Sequence, residues 1–132
     1  MYHHKHEAFN QTLDDLFHEV DRILEEKWGQ WFPLHPNRPK QGATYNPEID
    51  GLFEIAPDFT LGINSEKGRG YIISVRVATL EKVPPEQFEV FMSEAAALIQ
   101  ERLPRYFPGR SLEVVRDGPR YKIIGDFSLG IV

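Results

Sequence analysis

At 132 residues, with 41% apolar and 27% charged side chains and a net charge of −5, the chain has the length of one domain and an ordinary globular composition, neither disordered nor membrane-spanning. Its apolar runs are only a few residues long, far short of the ~20 that a transmembrane helix needs. The lack of cysteine excludes disulfides, thiolate catalysis and zinc sites built on sulfur. Residues 1–60 carry 5 Lys/Arg against 11 Asp/Glu, and residues 101–132 carry 6 against 4, so a nucleic-acid partner, which normally meets a basic footprint, is not expected.

The polar start, residues 1–7, has no apolar stretch of the secretory kind, so a cytoplasmic location is expected and these residues read as a frayed end. From residue 8 to 28, Phe9, Leu13, Leu16, Phe17, Val20, Leu24 and Trp28 recur at steps of three and four, the stripe of an amphipathic helix. Asp14, Asp15, Glu19, Asp21, Arg22, Glu25 and Glu26 fall on its other face, which reads as solvated, and Gly29 supplies a stop. Residues 29–50 hold four prolines and no sustained period. They read as a long loop, of the kind that is usually functional or mobile.

A short strand is expected at 52–55, and Phe59, Leu61 and Ile63 alternate with polar or small residues in a clearer one. The glycines of Lys67-Gly68-Arg69-Gly70 suit a hairpin connection. The returning strand sets Tyr71, Ile73, Val75 and Val77 against Ile72, Ser74, Arg76 and Ala78. Pro84-Pro85-Glu86 opens a second helix with a stripe of Phe88, Phe91, Met92, Ala95, Leu98, Ile99 and Leu103, and Pro104 should end it. Strands at 111–116 and 120–131 turn about Asp117-Gly118-Pro119, with Leu112 and Val114 facing the same way as Tyr121, Ile123, Phe127 and Leu129.

The expected architecture is one α+β domain over 1–132, in the order α-β-β-(β)-α-β-β. Two helices cover one face of an antiparallel sheet of four or five strands, and the other face stays open. In element order alone, this is similar to the type III secretion chaperones, which are cytoplasmic dimers that hold a partner in extended form. The third helix that those proteins place at the C-terminus has no counterpart here.

Chemistry is sparse. His3, His4 and His6 suggest Cu(II) or Ni(II) at a terminus, but a plain polar end explains them better, and neither metal nor cofactor is expected. Trp31, Phe32 and His35 lie among prolines, where aromatic anchors on a stiff loop could meet a partner or simply plug the core. Lys67-Gly68-Arg69-Gly70 could cradle an anion, or be an ordinary hairpin tip. His35 with Asp50 and Glu54 is the least poor acid–base set, yet no catalytic motif appears and no catalytic residue is assigned.

The open face would show Ser74, Arg76, Glu113, Lys122, Asp126 and Ser128, but also Ile72, Ala78, Val115, Ile124 and Val132. That is more apolar than solvent requires, and it suggests an interface, a covering by the N-terminal loop or ordinary exposure. The leading expectation is a non-enzymatic protein-binding, adaptor or chaperone-like homodimer, with Trp31, Phe32, His35, Ile72, Arg76, Val115, Lys122 and Ile124 meeting the partner. The alternative is a small-ligand or enzymatic site between the 29–50 loop and the sheet, with His35 and Arg76 around it.

Overall fold

The computed structural model describes residues 2–44, 46, 49–63 and 65–125. Helix α1 (Tyr2–Trp28) is followed by strands β1 (Phe53–Thr60) and β2 (Gly70–Val77), helix α2 (Pro85–Tyr106), and strands β3 (Leu112–Asp117) and β4 (Arg120–Gly125). The four strands form one antiparallel sheet in the order β1-β2-β4-β3. The α+β order read from the sequence is the one observed. Residues 126–131, expected to prolong the last strand, lie outside the described residues.

Three local expectations change. The helix starts at Tyr2, so residues 2–7, read as frayed, are helical: no Gly or Pro interrupts them, and a helix propagates easily once nucleated. The strands expected at 52–55 and from Phe59 onward are joined in one strand, Phe53–Thr60, that runs through Pro57 and leaves Leu61 and Ile63 beyond its end. Proline is tolerated there because β1 is an edge strand, and the N–H it lacks would have pointed away from β2. Pro104 does not end α2, which continues to Tyr106. In a last turn the missing N–H forfeits one bond, and the Phe107 N–H still reaches the Leu103 carbonyl at 2.8 Å.

The strand residues of one parity, Phe53, Ile55, Tyr71, Ile73, Val75 and Ile123, are buried against the stripe of α1 from Phe9 to Leu24 and against Phe91, Ala95, Ile99 and Leu103 of α2. α1 lies along β1 and α2 along β2, β4 and β3. Phe91 joins the layers, its ring 5.0 Å from that of Phe53 and 5.6 Å from that of Trp28. Glu19 of α1 clamps α2 by accepting from Arg102 at 2.8 Å and from the Tyr106 hydroxyl. Those bonds hold its carboxyl below the usual range, the Tyr106 bond contributing most. Gly70 lets β2 approach β4, since a Cβ there would lie 2.2 Å from the Ile123 carbonyl oxygen. Among the described residues no helix is long and apolar enough to cross a membrane.

Candidate functional site

The 29–52 loop is tied down at several points. The His35 N–H donates to the Ala78 carbonyl at 2.8 Å, beyond the end of β2. Arg38 reaches three carbonyls, Gly51 at 3.0 Å, Asp50 at 3.1 Å and Phe53 at 3.2 Å. Asp50 accepts from the Thr44 N–H and hydroxyl at 3.1 and 2.9 Å. Glu25 of α1 accepts from the N–H groups of Leu52 and Phe53 at 2.8 and 3.3 Å, and Asp21, one turn earlier, from that of Ile55 at 3.3 Å.

The N–H groups of Phe53 and Ile55 are therefore satisfied by carboxyl groups where a neighbouring strand would otherwise pair. Asp21 and Glu25, expected on a solvated face, belong instead to the buried side, and Asp21 is 2% exposed. The spacing held the signal: Phe17, Asp21, Glu25 and Trp28 follow one another at helical steps. Burial, and then the nearby Glu25 charge, push the Asp21 carboxyl up to about 8, and burial also raises Glu25.

Between this loop and the end of α1 lies a groove of about 730 Å³, bordered by Glu25, Trp31, Phe32, Leu34, Lys40 and Leu52. Trp31 is 59% exposed and stands edge-on to Trp28 at 4.8 Å. Phe32 divides itself between groove and core, its ring 6.3 Å from Phe91. His35 and Arg76, expected around such a cleft, do not line it. The His35 Nδ1 accepts from the Asn37 N–H at 3.0 Å, and Arg76 pairs with Glu54 at 3.3 Å on the opposite face of the sheet. His35, Asp50 and Glu54 thus engage three different neighbours and form no acid–base set.

The far face of the sheet is partly covered. The β1–β2 connection folds back over it. The Lys122 ammonium donates to the Gly68 carbonyl, to the Ser65 hydroxyl at 3.2 Å and to the Asp117 carboxylate at 2.6 Å, while Ser65 itself donates to Asp117 at 2.6 Å. Lys122, expected among the partner-facing residues, is 1% exposed and serves as the anchor of this flap. The Gly68 carbonyl turned toward a cation also corrects the anion-cradle expectation for residues 67–70. A cavity of about 370 Å³ remains under the flap, lined in part by Thr60, Ile63, Ile72 and Arg120. Ile72, Val115 and Ile124 are half-buried and Arg76 is exposed. Asp126, Ser128 and Val132 lie outside the described residues, as do the side chains of His3, His4 and His6. Among the described residues no group of three or more metal-ligating side chains could hold a metal ion.

A further run of exposed apolar side chains lies past Pro57. Phe59, Leu61 and Ile63 are 55%, 66% and 78% exposed, where β1 leaves the cover of α1. Beside them a groove of about 390 Å³ is lined by Asn10, Leu13, Asp14, Pro57, Phe59 and Tyr71. Their alternation was visible in the sequence, but read as strand pattern, not as surface.

A family model described as "Uncharacterised protein" matches residues 4–125. An "Uncharacterized protein" of Borreliella burgdorferi is 39% identical over 122 residues, which cover 90% of this chain and 95% of that protein. No solved structure matches the chain. With the family model spanning nearly all of the described fold, the chain belongs to this family.

Proposed function

We propose that the chain is a non-enzymatic protein-binding domain, adaptor- or chaperone-like, that works as a homodimer in a cytoplasmic setting and takes a partner's apolar side chain beside Trp31. The observation that carries this reading is the exposure of Trp31, 59%, on the lip of the 730 Å³ groove. A large aromatic held on a proline-stiffened loop loses little entropy when a partner covers it. The ionisable groups close to the groove point the same way. Asp21, Glu25, Asp50 and Arg38 are engaged with backbone and loop groups and do not converge on a reacting atom. Phe32 extends the surface on the groove side. His35, Arg76, Ile72, Val115 and Ile124 lie away from it and would serve a partner only as secondary contacts.

A second reading, a small-ligand or enzymatic site in the same groove, draws on its volume, which is that of a ligand pocket, and on the raised Glu25 carboxyl in its wall. Selection from a displayed peptide library on the intact protein separates the two. Binders should emerge whose affinity drops about tenfold or more in Trp31→Ala, the scale of a hot-spot aromatic, with the fold unchanged because the side chain is mostly exposed. If no peptide is enriched and small molecules instead raise the melting temperature in a Trp31-dependent way, the second reading holds.

A further inference from the structure

The β1 edge is protected in one half and bare in the other. At Phe53 and Ile55 the outward N–H groups are taken by Glu25 and Asp21. At Pro57 there is none to offer. Past that point the strand presents Phe59, and the chain beyond it Leu61 and Ile63, each more than half exposed. Three such side chains in sequence amount to apolar surface on the order of a few hundred Å², the size at which a patch on a soluble domain usually has a partner.

We propose that the partner of this stripe is a second copy of the chain, docked about a two-fold axis near Leu61. The inference rests on the reading of the protein as a self-associating binding domain, and names the surface that joins the copies. Three features of the stripe are self-complementary, as a two-fold contact requires.

The first is shape. Ile63, the most exposed of the three, is a projection at one end, and the 390 Å³ groove between α1 and Phe59 is a recess at the other. Two copies running antiparallel about Leu61 bring each Ile63 over the other's Phe59 and groove. The second is charge. The groove end carries Asp14 in its wall and the exposed Asp58, whereas the hairpin end carries Lys67 and Arg69 against Glu66. The antiparallel arrangement sets the acidic end of one copy on the basic end of the other, which favours that register over a parallel one.

The third is closure. Pro57 and the two α1 carboxylates prevent the strand from being extended along its whole length, so the contact is confined to residues 58–63. It ends at a dimer and does not propagate as an open-ended sheet.

The chain has no cysteine, so a single thiol reports on the axis. Leu61→Cys, oxidised as the intact protein, should form a covalent dimer in high yield, because a residue beside a two-fold axis meets its own copy. Leu80→Cys, at a position 74% exposed in the β2–α2 connection, should not. Sedimentation of the unmodified chain should show a dimer, and Ile63→Asp, with its circular dichroism unchanged, should weaken association about tenfold or more by placing a charge in an apolar contact. A dimer that survives Ile63→Asp and gives no Leu61→Cys cross-link would overturn the proposed surface while leaving the dimer reading intact. A monomer at every concentration would overturn both.

Discussion

Replacing Lys122 by methionine should cost the fold roughly 2–3 kcal/mol, although methionine matches most of the lysine stem. The lysine is 1% exposed, and its ammonium meets Gly68, Ser65 and Asp117. Removing it leaves a carbonyl and a carboxylate without their cation at the wall of the cavity under the flap. Breaking a fully buried pair costs about 3–5 kcal/mol. The Asp117 side chain keeps a quarter of its surface exposed, which lowers the expectation. The flap formed by the β1–β2 connection should loosen first, seen as faster amide exchange at residues 65–68.

Two further readouts separate this from a generic core defect. Lys122 and Ser65 hold the Asp117 carboxyl below its usual range. A carboxyl lowered by folding adds stability above its unfolded pKa and loses it as pH falls through the folded one. The acid limb of the stability curve should therefore flatten in Lys122→Met. Adding Asp117→Asn should recover part of the loss, because the orphaned charge goes with the partner, and a double-mutant cycle measures the coupling. Strictly additive losses would show that the two side chains do not act as a pair.

Asp21→Asn should do the opposite, and increasingly so as pH rises from ~4 to about 8. The Asp21 carboxyl is pushed from 3.8 to about 8, so the folded protein holds a proton that the unfolded chain releases. Its contribution is fully present below pH ~4 and declines as pH rises to about 8. Each tenfold change in proton affinity is worth about 1.4 kcal/mol, so ionising Asp21 beside Glu25 costs the wild type on the order of 5 kcal/mol by pH ~9. Asparagine resembles the protonated acid and can still accept from the Ile55 N–H. Urea unfolding should thus find the variant and the wild type within about 1 kcal/mol of each other at pH ~4 and the variant several kcal/mol more stable at pH ~9. Parallel stability curves across that range would show that the carboxyl is ionised throughout. The loop tether at Leu52 and Phe53 is the expected site of alkaline loosening, since Glu25 shares the repulsion.

The periodic elements were legible because their signals are local. Phe9 to Trp28 and Phe88 to Leu103 spell two helical stripes, Tyr71 to Val77 alternates as a strand must, and the turn residues mark both hairpins. What was not legible is long-range. Asp21 is an acid that composition assigns to solvent, and the β1 backbone that arrives beside it explains its burial. Lys122 was placed on the correct face of its strand, but its burial depends on a connection more than fifty residues earlier in the chain folding back over it. The segments on either side of Pro57 were read as separate strands, and an edge position, where its missing N–H is harmless, cannot be read before the strand order is known. Of the two readings of the loop aromatics, partner anchor or core plug, Trp31 has the exposure of the first. The Phe59, Leu61 and Ile63 stripe showed its pattern without its exposure, which follows from where α1 ceases to cover β1.

Buried polar side chains such as Asp21 and Lys122 thus tie this fold together, while exposed apolar side chains are proposed to meet partners, among them a second copy at the β1 edge. Hydrogen exchange of the unmodified chain, compared between dilute and concentrated solution, tests this division most directly. Protection should rise with concentration at residues 58–63 and stay constant at Val115 and Ile124 on the far face of the sheet. Exchange that is independent of concentration everywhere, or protection gained on the far face instead, would contradict it.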